Sequence, residues 1–225
     1  MKEDIRNEVL KLGADVCGFA SMKRFGNAPK GFHPEDIYEG CKTAIVFGIA
    51  LPKGLYMVEP RLIYGHFNDL ALPRVDQIAF QAAKIIEERF EGTAVPIPSD
   101  SPYEYWQEDK MEGKGLLSMR HAAVNAGLGQ LGKNNLLLHS CYGNRLELGC
   151  ILTDLEFESD EIQESICVLE CNRCLDKCPS KALNGGSTLQ KNCRLHTYGK
   201  NKRGFSTVDC NQCRTVCPMR FGVRR

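Results

Sequence analysis

The hydrophobic residues of this chain fall into a few clear patterns. Ile5, Val9 and Leu12 recur at helical spacing across residues 2–12, and Gly13 ends the run. Residues 16–20 form a short apolar strand, and Pro34 is placed to start a helical turn in HPEDIYEG. Residues 43–51, TAIVFGIAL, are apolar almost throughout, the pattern of a strand buried on both faces. Residues 52–72 show no period and read as irregular. From Pro73 onward Val75, Ile78, Ala79, Ala82, Ile85, Ile86 and Phe90 step by three and four residues, and Gly92 closes the predicted helix. A strand opens AVPIPSDSPYEYW, a second helical run covers 115–128, and a strand follows over 134–139. Across 145–153, Leu146, Leu148, Cys150 and Leu152 alternate onto one face of a further strand. This order of elements predicts an α/β (α+β) domain over residues 1–158, a boundary in the acidic segment after Asp154, and a smaller unit over 159–225.

Composition adds limits. Hydrophobic content of 43% and charged content of 25% suit a globular protein. The N-terminal stretch is charged and amphipathic, with no apolar signal region, and no segment is long enough to span a bilayer. These features predict a cytoplasmic protein with no membrane partner. The net charge of +1 hides an asymmetry: residues 154–170 are acidic without a basic residue, whereas Asp209 is the one carboxylate among the cations of 191–225. Two solvated faces account for this more simply than a docking surface.

The cysteines carry the sharpest signal. Of 12, eight lie from Cys167 onward, as C167-VLE-C171-NR-C174-LDK-C178-P, then Cys193, then C210-NQ-C213-RTV-C217-P. A short loop of three cysteines wraps a cubane, and the cysteine before proline leaves to serve the other cluster. The pattern predicts two [4Fe–4S] clusters with crossed ligation: Cys167, Cys171, Cys174 and Cys217 on the first, and Cys178, Cys193, Cys210 and Cys213 on the second. The first gap carries one residue more than the usual C-x2-C. Cys193 stands well upstream of Cys210, and His196 is the alternative fourth ligand. Zinc would accept the two C-x2-C pairs but does not ask for the third close cysteine or the Cys-Pro endings. Disulfides would need an oxidising compartment. Cys17 and Cys150 read as small core residues within strands, Cys41 as a residue preceding a strand, and Cys141 as a turn residue.

Residues 127–134 read GLGQLGKN. They satisfy G-x-G-x-x-G and nearly satisfy a P-loop, but both motifs need a strand leading into a helix. Here a helix leads in and a strand leads out, so neither phosphate-binding mechanism applies. A helix C-cap and tight turn explain Gly127. Three glycines and a lysine together predict backbone packed closely against a large ligand.

The runs H121-AAVNAGLGQLGKNNLLL and G143-NRLELGCILTD, followed by the double Cys-Pro module, resemble the epoxyqueuosine reductases and their reductive dehalogenase relatives. LGADVCGFA and EGCKTAIVFG resemble the family's opening. The resemblance implies a nitroreductase-like, cobalamin-binding domain followed by a bacterial ferredoxin-like module with two [4Fe–4S] clusters. It implies that His121, Gly127, Gly129, Gly132, Lys133 and Asn134 line the cofactor pocket. Family members carry an acidic residue in D-S-x-P; Asp100-Ser101-Pro102 comes within one residue of that motif. The chain ends just after the cluster module, without the helical repeats that help tRNA-modifying members hold their substrate, so a tRNA substrate is not expected.

Asp100 and Tyr103, with Tyr105 and Trp106 beside them, are the candidates for a substrate cleft. The sequence thus predicts a reductase in which the clusters relay electrons from a ferredoxin or flavodoxin to a corrinoid. Two alternatives stand beside it: FMN in place of cobalamin, or a ferredoxin-like carrier with no catalysis of its own.

Overall fold

The computed structural model describes residues 1–223. In chain order the helices are α1 (Lys2–Lys11), α2 (Pro34–Ile37), α3 (Leu62–Phe90), α4 (Met119–Asn125), α5 (Arg173–Asp176), α6 (Gln190–Thr197) and α7 (Gln212–Thr215). The strands are β1 (Val16–Ser21), β2 (Thr43–Ala50), β3 (Ala94–Ile97), β4 (Tyr105–Gln107), β5 (Glu112–Lys114), β6 (Gln130–Leu131), β7 (Leu137–Leu138), β8 (Leu146–Thr153), β9 (Tyr198–Lys200) and β10 (Ser206–Val208).

A four-stranded sheet ordered β1-β2-β8-β3 forms the centre, antiparallel at every pairing. Antiparallel sheets often leave one face to water; here both are covered, as the unbroken apolar run of β2 requires. Cys17, Phe19, Ile45, Phe47 and Ile151 pack with Ile5 and Val9 of α1 and Val75, Ile78, Ala82 and Ile86 of α3. Ala44, Val46, Leu146, Leu148, Cys150 and Leu152 pack on the opposite face with Ala122, Ala123 and Ala126. The alternation expected along β8 is therefore present, and Cys17, Cys41 and Cys150 are buried while Cys141 is exposed. Gly149 lies opposite Phe47, where a Cβ would come within 2.4 Å of the Phe47 ring.

The structure departs from the expected pattern in four places. Helix α3 begins at Leu62, so residues 62–72 are helical and Pro73 lies inside the helix. Tyr64, Gly65 and Ala71 are buried, but Leu62, Ile63, Phe67 and Leu70 face out, and these exposed apolar residues blur the period. Pro73 removes one backbone donor without stopping the helix, because buried residues on both sides of it, Tyr64 and Ala71 before and Val75 and Ile78 after, hold both segments. The C-terminal turn takes its left-handed residue at Glu91 rather than Gly92. The second helical run shortens to α4, and the strand expected over 134–139 reduces to β7, paired with β6 in a small hairpin.

The acidic segment after Asp154 lies back along β1. Phe157 is buried against Phe19, with ring centroids 5.4 Å apart. Asp160 accepts from Arg6 (3.0 Å) and from the Phe19 N–H (3.0 Å), and pairs with Lys2 at 2.7 Å. Asp160 is thus anchored rather than solvated. Among the described residues no helix is long and apolar enough to cross a membrane.

Candidate functional site

The two cysteine groups fold alike. Asn172 and Asn211 precede α5 and α7, four-residue turns that carry Cys174 and Cys213. A small cavity is lined by Cys167, Cys171 and Cys174 from the first group and by Cys217 from the far end of the second, with Lys133, Asn134 and Leu138 completing its wall. Burial pushes the Cys217 thiol up, and Cys167, Cys174 and Cys171 add to the shift. Two cysteines of the other set are raised in the same direction. Burial pushes Cys213 up to about 11, opposed by Arg214 and reinforced by Cys193, Cys210 and Cys178. Cys210 is raised by burial, with Cys193 and Cys178 adding to it. The cavity thus gathers Cys217 with the three cysteines of the first group, and Cys178, Cys193, Cys210 and Cys213 form the remaining set of four. Cys193 is half-buried beside its tetrad, whereas His196, one turn further along α6, is exposed. Among the described residues no three Cys, His, Asp or Glu side chains converge on a point where one metal ion would sit.

The glycine-rich stretch does something other than cradle a ligand. Gly127 (φ +73°) closes α4, its N–H donating to Val124 O while Leu128 N donates to Ala123 O. A Cβ on Gly127 would lie 2.3 Å from the Glu161 carbonyl oxygen, and one on Gly129 (φ +142°) 2.3 Å from that of Leu138. One on Gly132 would meet the side chains of Asn134 and Leu138 at 2.8 Å. The close approach expected at these glycines is real, but it is to the chain's own atoms. Lys133 and Asn134 likewise face the tetrads. Lys133 Nζ donates to the carbonyls of Leu169 and Cys171 (3.1 Å to the latter) and to Asn172 Oδ1 (3.0 Å). Asn134 Nδ2 donates to Cys213 O at 2.9 Å. His121 is exposed on α4, with Nδ1 2.8 Å from Ser118 Oγ; burial and then Arg120 lower its pKa. In this structure the residues expected to line a corrinoid form a clasp between the β6–β7 hairpin and both cysteine loops.

Gly129→Val tests this correction. A β-branched residue at that φ and against that carbonyl is expected to cost about 3 kcal/mol or more. It should loosen the cysteine loops with the hairpin, which chemical denaturation and iron content together would register.

Sequence reasoning missed a second contact between sheet and cysteines. Arg214 follows Cys213 directly, pairs with Glu147 of β8 at 3.3 Å, and donates to Asn144 O at 2.8 Å and Tyr56 Oη at 3.3 Å. Asn144 Nδ2 in turn donates to Arg214 O at 3.1 Å. Burial raises the Glu147 pKa and Arg214 opposes that rise. A charged residue directly after Cys213, and another inside an apolar strand, were the available signals.

Asp100 and Tyr103 lie on the opposite side of α6. Tyr103 donates to Asp100 Oδ1 (3.4 Å) and accepts from Arg194, the neighbour of Cys193, at 3.0 Å. The Arg194 guanidinium sits over the stacked rings of Tyr103 and Trp106, 5.2 and 5.3 Å from their centroids. Gln190 exchanges two hydrogen bonds of 3.0 Å with Gly113 of β5, tying α6 to the β4–β5 hairpin. Glu104, Tyr105, Trp106, Gln107, Glu112 and Lys114 line an open recess of about 340 Å³ on that hairpin.

No protein-family model matches the chain. It is 36% identical over 218 residues to an epoxyqueuosine reductase of Lactococcus garvieae, covering 92% of this chain and 60% of that protein. A crystal structure of epoxyqueuosine reductase with a tRNA stem loop superposes with a TM-score of 0.67 at 18% identity, covering 97% of this chain and 65% of the other. A reductive dehalogenase whose structure suggests a mechanism for B12-dependent dehalogenation superposes at 0.71 and 20% identity, covering 96% of this chain and 31% of the other. The chain resembles epoxyqueuosine reductases in sequence, and shares its mixed α/β fold with them and with the dehalogenases. It spans 60% of the length of the curated relative named.

Proposed function

We propose that this chain is an epoxyqueuosine reductase-like iron–sulfur oxidoreductase, with one [4Fe–4S] cluster held by Cys167, Cys171, Cys174 and Cys217 and another by Cys178, Cys193, Cys210 and Cys213. The observation that carries this is the cavity lined by three cysteines of the first group and Cys217 of the second. A donor set of four thiols, split between two Cys-Pro segments, suits a cubane. When bound, such clusters supply one-electron transfer; the donor would be a ferredoxin or flavodoxin.

The protein's own groups then have separate tasks. Lys133 and Asn134 fix one cysteine loop each. Arg194 joins the helix carrying Cys193 to the aromatic wall of the recess beside Trp106, which is where an electron acceptor would lie. Tyr103, stacked on Trp106 behind the recess and hydrogen-bonded to Asp100, is the proton donor of this reading. The dehalogenase likeness supports a corrinoid as the acceptor. Its expected lining does not fit, because Gly127, Gly129 and Gly132 face the chain itself and Lys133 and Asn134 face the cysteines. We therefore assign no residue to a corrinoid. Cobalamin and FMN titrations of the reconstituted protein would decide between them, and binding of neither would favour the carrier.

Anaerobic reconstitution tests the clusters. About eight iron and about eight sulfide per chain are expected, with broad visible absorption that bleaches on reduction. Cys171→Ser should lose roughly half of the iron, and Cys150→Ser, buried in β8, should keep all of it. A colourless protein carrying zinc would overturn the proposal.

A further inference from the structure

We propose that Lys133 sets the order in which the two cysteine tetrads take up electrons, by placing an unneutralised positive charge against the first. The inference rests on the iron–sulfur reading above and goes beyond it.

Lys133 lies in the turn of the β6–β7 hairpin and lines the cavity shared by Cys167, Cys171, Cys174 and Cys217. Its acceptors are two carbonyls and an amide oxygen, all uncharged. Lys133 takes part in none of the ion pairs among the described residues. Surface lysines usually keep their rotamers; this one is committed to a single loop by three acceptors. Leu169, one of its partners, is the middle residue of the three between Cys167 and Cys171. The extra residue of the first cysteine gap thus belongs to the stretch that offers the lysine its acceptor.

The second tetrad also has a cation at hand, since Arg214 follows Cys213. That charge differs in one respect: Glu147 stands 3.3 Å from it, with the two side chains 18% and 13% exposed. Arg214 and Glu147 together add almost no net charge to the second tetrad, and Arg194, which follows Cys193, turns its guanidinium over the Tyr103 and Trp106 rings instead, whereas the first tetrad gains the whole of the Lys133 charge. A centre that becomes more negative on reduction is stabilised by a fixed cation, and net local charge is one of the terms that set cluster potential. The first electron to enter therefore rests on the tetrad beside Lys133. Each step adds one electron from the donor, which is oxidised by one, and no bond is made or broken.

The test is an equilibrium redox titration of the anaerobically reconstituted full chain, followed by electron paramagnetic resonance, with dithionite as reductant. Two one-electron steps are expected. Lys133→Gln keeps an amide donor but removes the charge, and should lower the higher step by at least a tenfold change in partition, about 59 mV for one electron. Lys133→Arg should leave that step nearly in place. Glu147→Gln should raise the lower step by leaving Arg214 unneutralised. Full iron content with both steps unmoved in Lys133→Gln, or movement of the lower step alone, would overturn the inference while leaving the clusters standing. If Lys133→Gln comes away short of iron, Glu147→Gln decides: a lower step that stays put refutes the charge argument. A wild-type chain that binds no iron refutes the reading of the cysteines, and this inference with it.

Discussion

Arg214→Met should destabilise the folded chain by about 3–5 kcal/mol, the usual effect of removing one member of a buried ion pair. The substitution keeps most of the side-chain volume, so the loss is electrostatic. Glu147 would be left as a carboxylate inside an apolar strand, and its pKa is already raised by burial with the guanidinium present. Asn144 O and Tyr56 Oη would lose a donor in the same step. The sign of the pH dependence follows. A carboxyl whose folded pKa lies above its unfolded value binds its proton more tightly when folded, so it destabilises the fold increasingly as pH rises past the unfolded value. The deficit of Arg214→Met should therefore be larger at pH 8 than at pH 5. Denaturant midpoints of both proteins at the two pH values measure it, and an equal deficit at both would show that losing Arg214 does not raise the Glu147 pKa.

Removing iron should have the largest effect on the cysteine-bearing segment. Among the described residues from Cys167 onward, Cys174, Cys178, Ala182 and Val208 are the hydrophobics that are buried, and two of those are cysteines of the tetrads. Its helices run to four, eight and four residues. So little apolar burial cannot offset about 1–2 kcal/mol of backbone entropy per ordered residue. On the proposed cluster reading, metal binding would supply the segment's folding energy. Chelation is expected to expose it to protease throughout, while the sheet domain survives. Cleavage should begin beyond Asp160, because that residue is held by Arg6, Lys2 and the Phe19 N–H. A segment equally resistant with and without iron would count against the cluster assignment.

What was legible in the sequence was whatever obeys a short period or a fixed spacing. The run of β2 and the alternation of β8 are local patterns with one physical cause, burial, and both survive intact. The spacing of the cysteines was legible because it is local, and the structure lines one cavity with Cys167, Cys171, Cys174 and the distant Cys217. The start of α3 was not, since Leu62, Ile63, Phe67 and Leu70 are apolar and yet exposed. The glycines were legible as sites of close approach, but the identity of the neighbour was not. Glu161 and Leu138 reach Gly127 and Gly129 through tertiary structure that no spacing in GLGQLGKN encodes. Lys133 was singled out as a ligand contact for the same reason: the sequence shows that a cation is placed, not what faces it. The Arg214–Glu147 pair spans 67 residues of chain (214 less 147), so each charge was visible in the sequence but not that they meet.

The strand order of the central sheet bears on how the chain comes to be folded during synthesis. Strand β8 is inserted between β2 and β3, and β3 has its sheet pairing with β8. A nascent chain that has emerged only as far as residue 145 holds the β1–β2 pair with one edge of β2 bare and β3 without its neighbour. That bare edge belongs to the most apolar strand of the protein, the kind of surface that seeds pairing between chains. The ribosome must deliver β8 before the sheet can close, and only afterwards do the cysteines appear. Assembly therefore has a built-in sequence: the scaffold that carries Lys133, Asn134 and Glu147 leaves the ribosome ahead of the thiols it positions.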